Sequence, residues 1–515
     1  MNESYLIRRR VGFSILTGLG LIGILSLFAS IIAYFNSGAD TYEFENFNDK
    51  LFESHQPRVI VSFQEELNLT NNNPVLKSVV QSYIDAWHVI NTSLNNRSET
   101  LLEDYFERDL SEYIIQGIHG GLYDDIRLIQ TDIDHNIQIS LISYDKQFAS
   151  LEDSCVQLVK QAYDTNGELL WSRTYTYTIN VNMVFREGRW RVSHWISEAH
   201  SCDNQITEVS GEKVRSFDNI KGVNYYPSAN PWFSMWENFS IDTIQRDFAT
   251  VAELGFNSVR IFLPFEFFDD AENDAEHLDY LLELVNLAQE NNLYVIPALF
   301  DFNPSYSIEA YSKCDRYLEN ISQKIGNHPS IIAWDLKNEA DLDFDVHGEK
   351  NVMTWLEFIR GRLRMYLPEA QVMVGWSRID HIQLGNQFLD ILSFHYYDDP
   401  KRFNQLLAIH DIKKINKPVF LGEFGMSTFK KWYYPIGQNS KDQLELFETL
   451  YPIVSENDMS FAVWTLYDFQ EVPKYVVGSS PWRRWVQRKY GLLTESGDKK
   501  RAAVYLEQQL QPSKN

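Results

Sequence analysis

The hydrophobic and polar positions of this chain follow successive patterns, and each change of pattern marks a boundary. Val11 to Phe35 carries no charge, is almost wholly apolar or small, and follows Arg8-Arg9-Arg10. A run of that length predicts one bilayer-crossing helix over residues 11–35. The arginines keep residues 1–10 in the cytoplasm and place everything after Phe35 outside it. The competing reading is a cleaved signal ending near Ser37-Gly38-Ala39. Residues 36–73 are polar, close on the breaker Asn71-Asn72-Asn73-Pro74, and read as a juxtamembrane spacer with no chemistry of its own. A new pattern then opens: Leu76, Val80, Tyr83 and Trp87 recur at helical spacing, and a second helical stretch runs from Glu99 to Ile115. Alternation follows. Ile137, Ile139 and Leu141, and later Tyr175, Tyr177, Ile179, Val181 and Met183, are interleaved with polar residues, the period of half-buried strands. A hairpin turn at Glu187-Gly188 leads into a last strand from Arg189 to Trp195.

Helices first, then a curved antiparallel sheet closing on Gly188-Arg-Trp-Arg-Val192, resembles the nuclear transport factor two-like fold. The resemblance implies a small α+β domain over residues 74–205, acting as an enzyme, a spacer or a binding module for an unidentified protein partner. Beyond it, over residues 218–510, apolar runs alternate with helical sequence. Eight runs predict strands: Lys221 to Tyr226, Ser258 to Leu263, Tyr294 to Phe300, Ile331 to Leu336, Val372 to Trp376, Ile391 to Tyr396, Val419 to Gly422 and Phe461 to Leu466. Strands alternating with helices predict a parallel sheet. The helix from Ile241 to Leu254 ends in Gly255, as a C-terminal cap should, and Lys499 to Leu510 forms the final helix. The fold class is therefore α/β: a (β/α)8 TIM barrel with a smaller N-terminal α+β domain and one transmembrane helix.

Composition narrows the partners. Lys and Arg number 46 against 71 Asp and Glu, a formal charge of −25, which argues against nucleic acid and favours an uncharged substrate. Aromatics make up 14%, including 13 Trp and 28 Tyr, enough to supply flat platforms for sugar rings as well as core packing. Cys155, Cys202 and Cys314 have neither metal nor redox spacing; Cys155 and Cys202 could bridge if their domain lies outside the cell. No cluster with ligand spacing is present, so neither a metal nor another cofactor is expected.

The chemistry collects at two strand ends. Ile331-Ile-Ala-Trp-Asp-Leu-Lys-Asn-Glu339 is a buried run that ends in an acid, and Pro418-Val-Phe-Leu-Gly-Glu-Phe-Gly425 delivers Glu423 in the same way. The C-terminal ends of barrel strands are where catalytic groups gather, and two carboxylates there are what glycosidic bond hydrolysis requires. With Gly222-Val-Asn224, Gly255-Phe-Asn-Ser-Val-Arg260, Asn327-His-Pro, His395-Tyr-Tyr397 and Trp464, the chain over residues 218–510 resembles the clan A glycoside hydrolases, and within them the family 5 cellulase and mannanase group. The resemblance implies that Glu339 is the general acid/base and Glu423 the nucleophile. It implies further that Arg260 and Tyr397 hold Glu423, that Asn338 bonds the sugar 2-hydroxyl, and that His395 and Trp464 line the scissile subsite. Asn224, Tyr225, Asp301 and Trp376 complete the candidate substrate contacts; Asp301 stands where the resemblance brings a histidine. Trp232, Trp236, Trp432 and Tyr433 are candidate platforms. The expected activity is that of a retaining β-glycosidase on a β-linked glucan or mannan at the outer face of a cell membrane. A transglycosylase, or a silent carbohydrate-binding protein, is the alternative.

Overall fold

The computed structural model describes residues 55–63, 73–119, 126–199, 216–270, 275–303, 305–430, 437–478 and 480–511. Among these no helix is long and apolar enough to cross a membrane; the span predicted over Val11–Phe35 lies outside them. Residues 56–515 form one compact unit.

Its N-terminal part is a five-stranded sheet in the order β1 (Arg58–Phe63), β2 (Arg127–Ile142), β3 (Phe148–Tyr163), β4 (Leu169–Arg186) and β5 (Arg189–Ala199). Strands β2 to β5 are antiparallel, and β1 joins β2 in parallel. That strand corrects the spacer reading over Arg58–Phe63. Val59, Val61 and Phe63 face inward on the period of two, and Arg58 pairs with Glu319 of the barrel at 3.1 Å. Helix Pro74–Asn96 buries Leu76, Val79, Tyr83 and Trp87 against the sheet, its N-terminus capped by the Asn73 side chain. The second predicted helix is divided into Leu102–Tyr105 and Arg108–His119. The expected turn is present, with Glu187 and Gly188 both at positive φ as a two-residue hairpin loop requires.

The remainder is a closed, all-parallel barrel. Around it run β6 (Lys221–Asn224), β7 (Ser258–Pro264), β8 (Tyr294–Asp301), β9 (Trp334–Asn338), β10 (Val372–Trp376), β11 (Leu392–Tyr396), β12 (Val419–Phe424) and β13 (Ser460–Val463). All eight predicted strands are present. The fourth starts at Trp334 instead of Ile331, because Ile331 makes only an isolated bridge to Val295. The eighth ends at Val463. Apolar side chains fill the barrel and the layer beneath its helices, which explains why the strands read as continuous hydrophobic runs. The helix Ile241–Glu253 stops as expected, Gly255 taking a left-handed φ of +89°.

The two parts are joined by buried charge. Arg362, on the barrel helix Glu349–Tyr366, is 5% exposed and forks between Asp315 of the barrel and Asp134 of β2. Gln161 of β3 also donates to the Tyr311 hydroxyl at 3.1 Å.

Candidate active site

Alternation along each barrel strand sends every second side chain inward, and at the C-terminal rim these inward residues meet. Asn224 of β6 lies in register with Arg260 of β7, and His395 of β11 with Glu423 of β12. Arg260 is 1% exposed and is the organising cation. Its Nη1 donates to Glu423 Oε1 and to Asn224 Oδ1, both at 2.8 Å, and its Nη2 donates to Asn338 Oδ1 at 2.7 Å. Nε and Nη2 both reach Asp335 Oδ2, at 3.0 and 2.7 Å. Tyr397 donates its hydroxyl to Glu423 Oε2 at 2.9 Å. Glu423 is thus fixed through both oxygens by donated hydrogen bonds.

Glu339 is held differently. It follows β9 in a left-handed conformation, φ 47° and ψ 46°, with its N–H donating to Gly375 O at 2.7 Å. This sparsely populated backbone turns the carboxylate away from the strand direction, the kind of strain that surrounding structure must enforce. Asp341 helps to enforce it, accepting from Ser377 N at 2.8 Å and Ser377 Oγ at 2.6 Å. His395 Nδ1 contacts Glu339 Oε1 at 2.9 Å and lies 3.7 Å from Glu423 Oε2. Burial raises the Glu339 carboxyl, but the hydrogen bond and charge of His395 outweigh it and hold the group below its usual range. For His395 burial lowers the pKa, yet Glu423 and Glu339 prevail and raise it. Both shifts favour a protonated His395 paired with an ionised Glu339. His395 Nε2 has no hydrogen-bond partner and is closed in by Gly375, where an added Cβ would stand 2.9 Å from it.

One carboxylate oxygen each of Glu339 and Glu423 and a His395 ring nitrogen all lie within 4.8 Å of one another. Three such groups could hold a metal ion. Spacing along the sequence did not show this cluster, because three separate strands assemble it. The glutamates open into a cleft of about 620 Å³, whose walls include Tyr226, Trp232, Asp301, Lys337, Asn338 and Trp464. The structure thus brings together Glu339, Glu423, Arg260, Asn338, His395, Tyr397 and Trp464, with Asn224 behind Arg260.

Two predicted contacts are corrected. Tyr225 follows Asn224 and so points to the opposite side of its strand, where it is fully buried and donates to Asp247 Oδ2 at 2.8 Å. Its neighbour Tyr226 lines the cleft instead and donates to Asp301 Oδ2 at 3.4 Å. Trp376 is fully buried against Phe344, outside the cleft. Of the candidate platforms, Trp232 lines the cleft and Trp236 is core; Trp432 and Tyr433 lie outside the described residues. Asp301 does face the cleft. Burial raises its pKa to about 6 against the opposing charges of Lys337 and Arg260. Asp335 and Lys337 were not singled out from the sequence, although two charges inside an apolar strand were the available signal.

A parallel barrel that presents two facing glutamates at its C-terminal rim, one clamped by Arg and Tyr and one paired with His, is the arrangement that glycosidic bond cleavage requires. The chain belongs to the cellulase family, glycosyl hydrolase family 5, whose profile matches residues 208–470, just over half of it. A mannan endo-1,4-β-mannosidase of Arabidopsis thaliana is 26% identical over 27% of this chain and 41% of its own. A β-glucuronidase of Paenibacillus borealis is 23% identical over 38% of this chain and 36% of its own. The chain thus spans well under half the length of these relatives. Among solved structures, an exo-β-1,4-mannosidase from Opitutaceae bacterium strain TAV5 is similar at 21% identity and a TM-score of 0.47, covering 56% of this chain and 58% of that one.

Proposed function

We propose that the chain is a retaining β-glycosidase acting on a β-linked mannan- or glucan-type saccharide at the outer face of a membrane. The observation that carries the retaining mechanism is the separation of the two glutamates, whose oxygens approach within 4.8 Å. Inverting enzymes need about 6.5–9.5 Å, to admit a water between the carboxyls, whereas retaining enzymes hold them about 5–5.5 Å apart. Glu423, oriented by Arg260 and Tyr397, attacks the anomeric carbon as the bond to the leaving oxygen breaks. Glu339 protonates that oxygen, with the proton supplied by His395 Nδ1, 2.9 Å from Glu339 Oε1. Water then attacks the glycosyl-enzyme, Glu339 takes its proton, and the bond to Glu423 breaks. Asn338 accepts from Arg260 through Oδ1, which leaves its amide N–H groups for the sugar 2-hydroxyl.

A neutral substrate is supported by the cleft itself. Lys337 is outnumbered there by Asp301, Asp343, Glu339 and Glu423, so an anionic sugar would enter against the local field. The name of the mannan endo-1,4-β-mannosidase relative supports a mannan-type glycan. An outward-facing location is supported by the Arg8-Arg9-Arg10 cluster before the apolar run and by Cys155, which is disulfide-bonded, as an oxidising compartment allows. Cys202, its expected partner, lies outside the described residues. Product analysis on β-mannan, β-glucan and uronic-acid polymers tests the substrate. Release of neutral oligosaccharides is expected, and cleavage of the uronic-acid polymers alone would refute the reading.

A further inference from the structure

A second cavity, of about 740 Å³, lies where the N-terminal sheet meets the barrel. No catalytic group reaches it. Its walls come from both parts: Arg97 and Arg127 with Tyr163 and Asp164 on the N-terminal side, and Ser307 with Glu309 on the barrel side. Ser307 and Glu309 belong to the connection that leaves β8, and the same connection supplies Phe302 and Asn303 to the catalytic cleft. From Asn303 to Ser307 the chain can span at most about 14 Å even when fully extended. One short stretch of the barrel thus lines both cavities.

We propose that this junction cavity is a distal subsite for a neutral stretch of the same polysaccharide, so that the N-terminal domain extends the substrate site of the barrel. The inference rests on the glycosidase reading and names a role for the domain that precedes the barrel. Three observations support it. First, the wall charges cancel, two arginines against Asp164 and Glu309, so the cavity offers hydrogen bonds without a net charge to select an ion. A polyhydroxyl ligand matches such a surface, and the volume falls within the range of small-ligand sites. Second, Tyr163 presents a half-buried ring beside these groups, a surface of the kind on which sugar faces stack. Burial lifts its hydroxyl pKa to about 12, with Glu309 adding to the shift and Arg127 opposing it, which places all three groups together. Third, the walls are held in fixed relation. Asn95 donates to Glu309 Oε1 at 3.4 Å across the junction, Arg127 Nη2 donates to Asn95 O at 3.0 Å, and further along β2 Arg362 ties Asp134 to the barrel helices. A site built between two rigidly joined parts loses little freedom on binding.

The test uses the full chain in detergent, carrying Glu423→Gln so that ligand is not consumed, and titrates it calorimetrically with β-1,4-mannohexaose, cellohexaose and the corresponding trisaccharides. Adding Arg97→Ala with Glu309→Ala is expected to weaken the better hexasaccharide about tenfold, the loss of one or two hydrogen bonds. Trisaccharide affinity should move less than twofold. Tyr163→Phe, which keeps the ring, checks the result with a milder change and should weaken only the hexasaccharide. Equal hexasaccharide affinities with and without the substitutions would overturn the distal subsite, as would equal losses for both lengths. A parent protein that binds hexasaccharide no better than trisaccharide would also overturn it. Hydrolysis of an aryl β-mannoside and an aryl β-glucoside by the wild-type protein, measured alongside, reports on the catalytic cleft alone. A failure of the distal site is thereby told apart from a failure of the glycosidase reading.

Discussion

Replacing Arg362 by Met should strip the junction of its main cation. Arg362 Nε and Nη2 reach the two oxygens of Asp315 at 2.6 and 2.7 Å, Nη1 and Nη2 reach those of Asp134 at 2.7 and 3.1 Å, and Nη1 also donates to Gln157 Oε1 at 2.8 Å. The Asp315 side chain is 1% exposed and that of Asp134 13%, so water cannot replace these donors. Only Arg58, 3.8 Å from Asp134, remains as a described cation in contact with either aspartate. Removing one partner from a buried ion network costs about 3–5 kcal/mol, a large fraction of the total stability of a typical protein. The sign with pH is fixed by Asp315. Burial already raises its pKa, with Arg362 opposing, and losing Arg362 raises it further. The penalty should therefore be largest at pH 7 and shrink as acidification neutralises the carboxyl. Urea unfolding followed by tryptophan fluorescence measures it. A companion variant with Asp134→Asn and Asp315→Asn added to Arg362→Met removes all three charges and should recover most of the loss. A penalty under about 1 kcal/mol at pH 7, or a companion no more stable than the single variant, would refute the reasoning.

Two other outcomes follow from single groups. Gly375→Ala would place a Cβ 2.9 Å from His395 Nε2 and 3.1 Å from both Arg260 and Asp335. Overpacking there should cost about 1–3 kcal/mol and lower kcat at least about tenfold by displacing the groups that hold Glu423; a fully active, equally stable protein would contradict the packing described. In the N-terminal sheet His135 lies fully buried between Asp132 and Asp153, at 2.7 and 2.6 Å. Burial lowers its pKa, but the two aspartates prevail and raise it to about 10. A raised histidine contributes stability that is complete below its unfolded value near 6.5 and lost as pH rises through 10. His135→Gln should therefore be destabilised by up to about 5 kcal/mol at pH 6, with the gap closing toward pH 10; a gap independent of pH would contradict the charge assignment.

The barrel was legible because each of its strands is covered on both faces, and such strands announce themselves as short apolar runs between breakers. The catalytic pair was legible for the same reason, an acid at the end of an otherwise apolar run. What the sequence concealed came from alternation and assembly. Asn224 and Tyr225 are neighbours, but only one can face the barrel axis, and the alternation that turns Tyr225 away brings Tyr226, two positions on from Asn224, to the cleft. Trp376 ends a strand, yet its ring is fully buried beside Phe344. Strand β3 went unnoticed because Glu152, Asp153 and Lys160 break its alternation, Asp153 being buried on His135. Strand β1 was short and surrounded by polar sequence, and only its partner β2 completes it. Nor does sequence separation predict that Arg362 meets Asp134, 228 positions away.

The most direct test of the account is the stereochemistry of the reaction, followed by proton NMR of the anomeric signal with an activated aryl β-glycoside. The wild type should first release product in the β configuration. Glu423→Ala cannot form the glycosyl-enzyme, so azide should rescue it from the nucleophile's side to give the α-azide. Glu339→Ala keeps the nucleophile, and azide should attack its glycosyl-enzyme to give the β-azide. A first product of inverted configuration from the wild type would contradict the retaining mechanism, exchanged azide configurations would reverse the roles of Glu339 and Glu423, and full activity in both variants would remove the two glutamates from the chemistry.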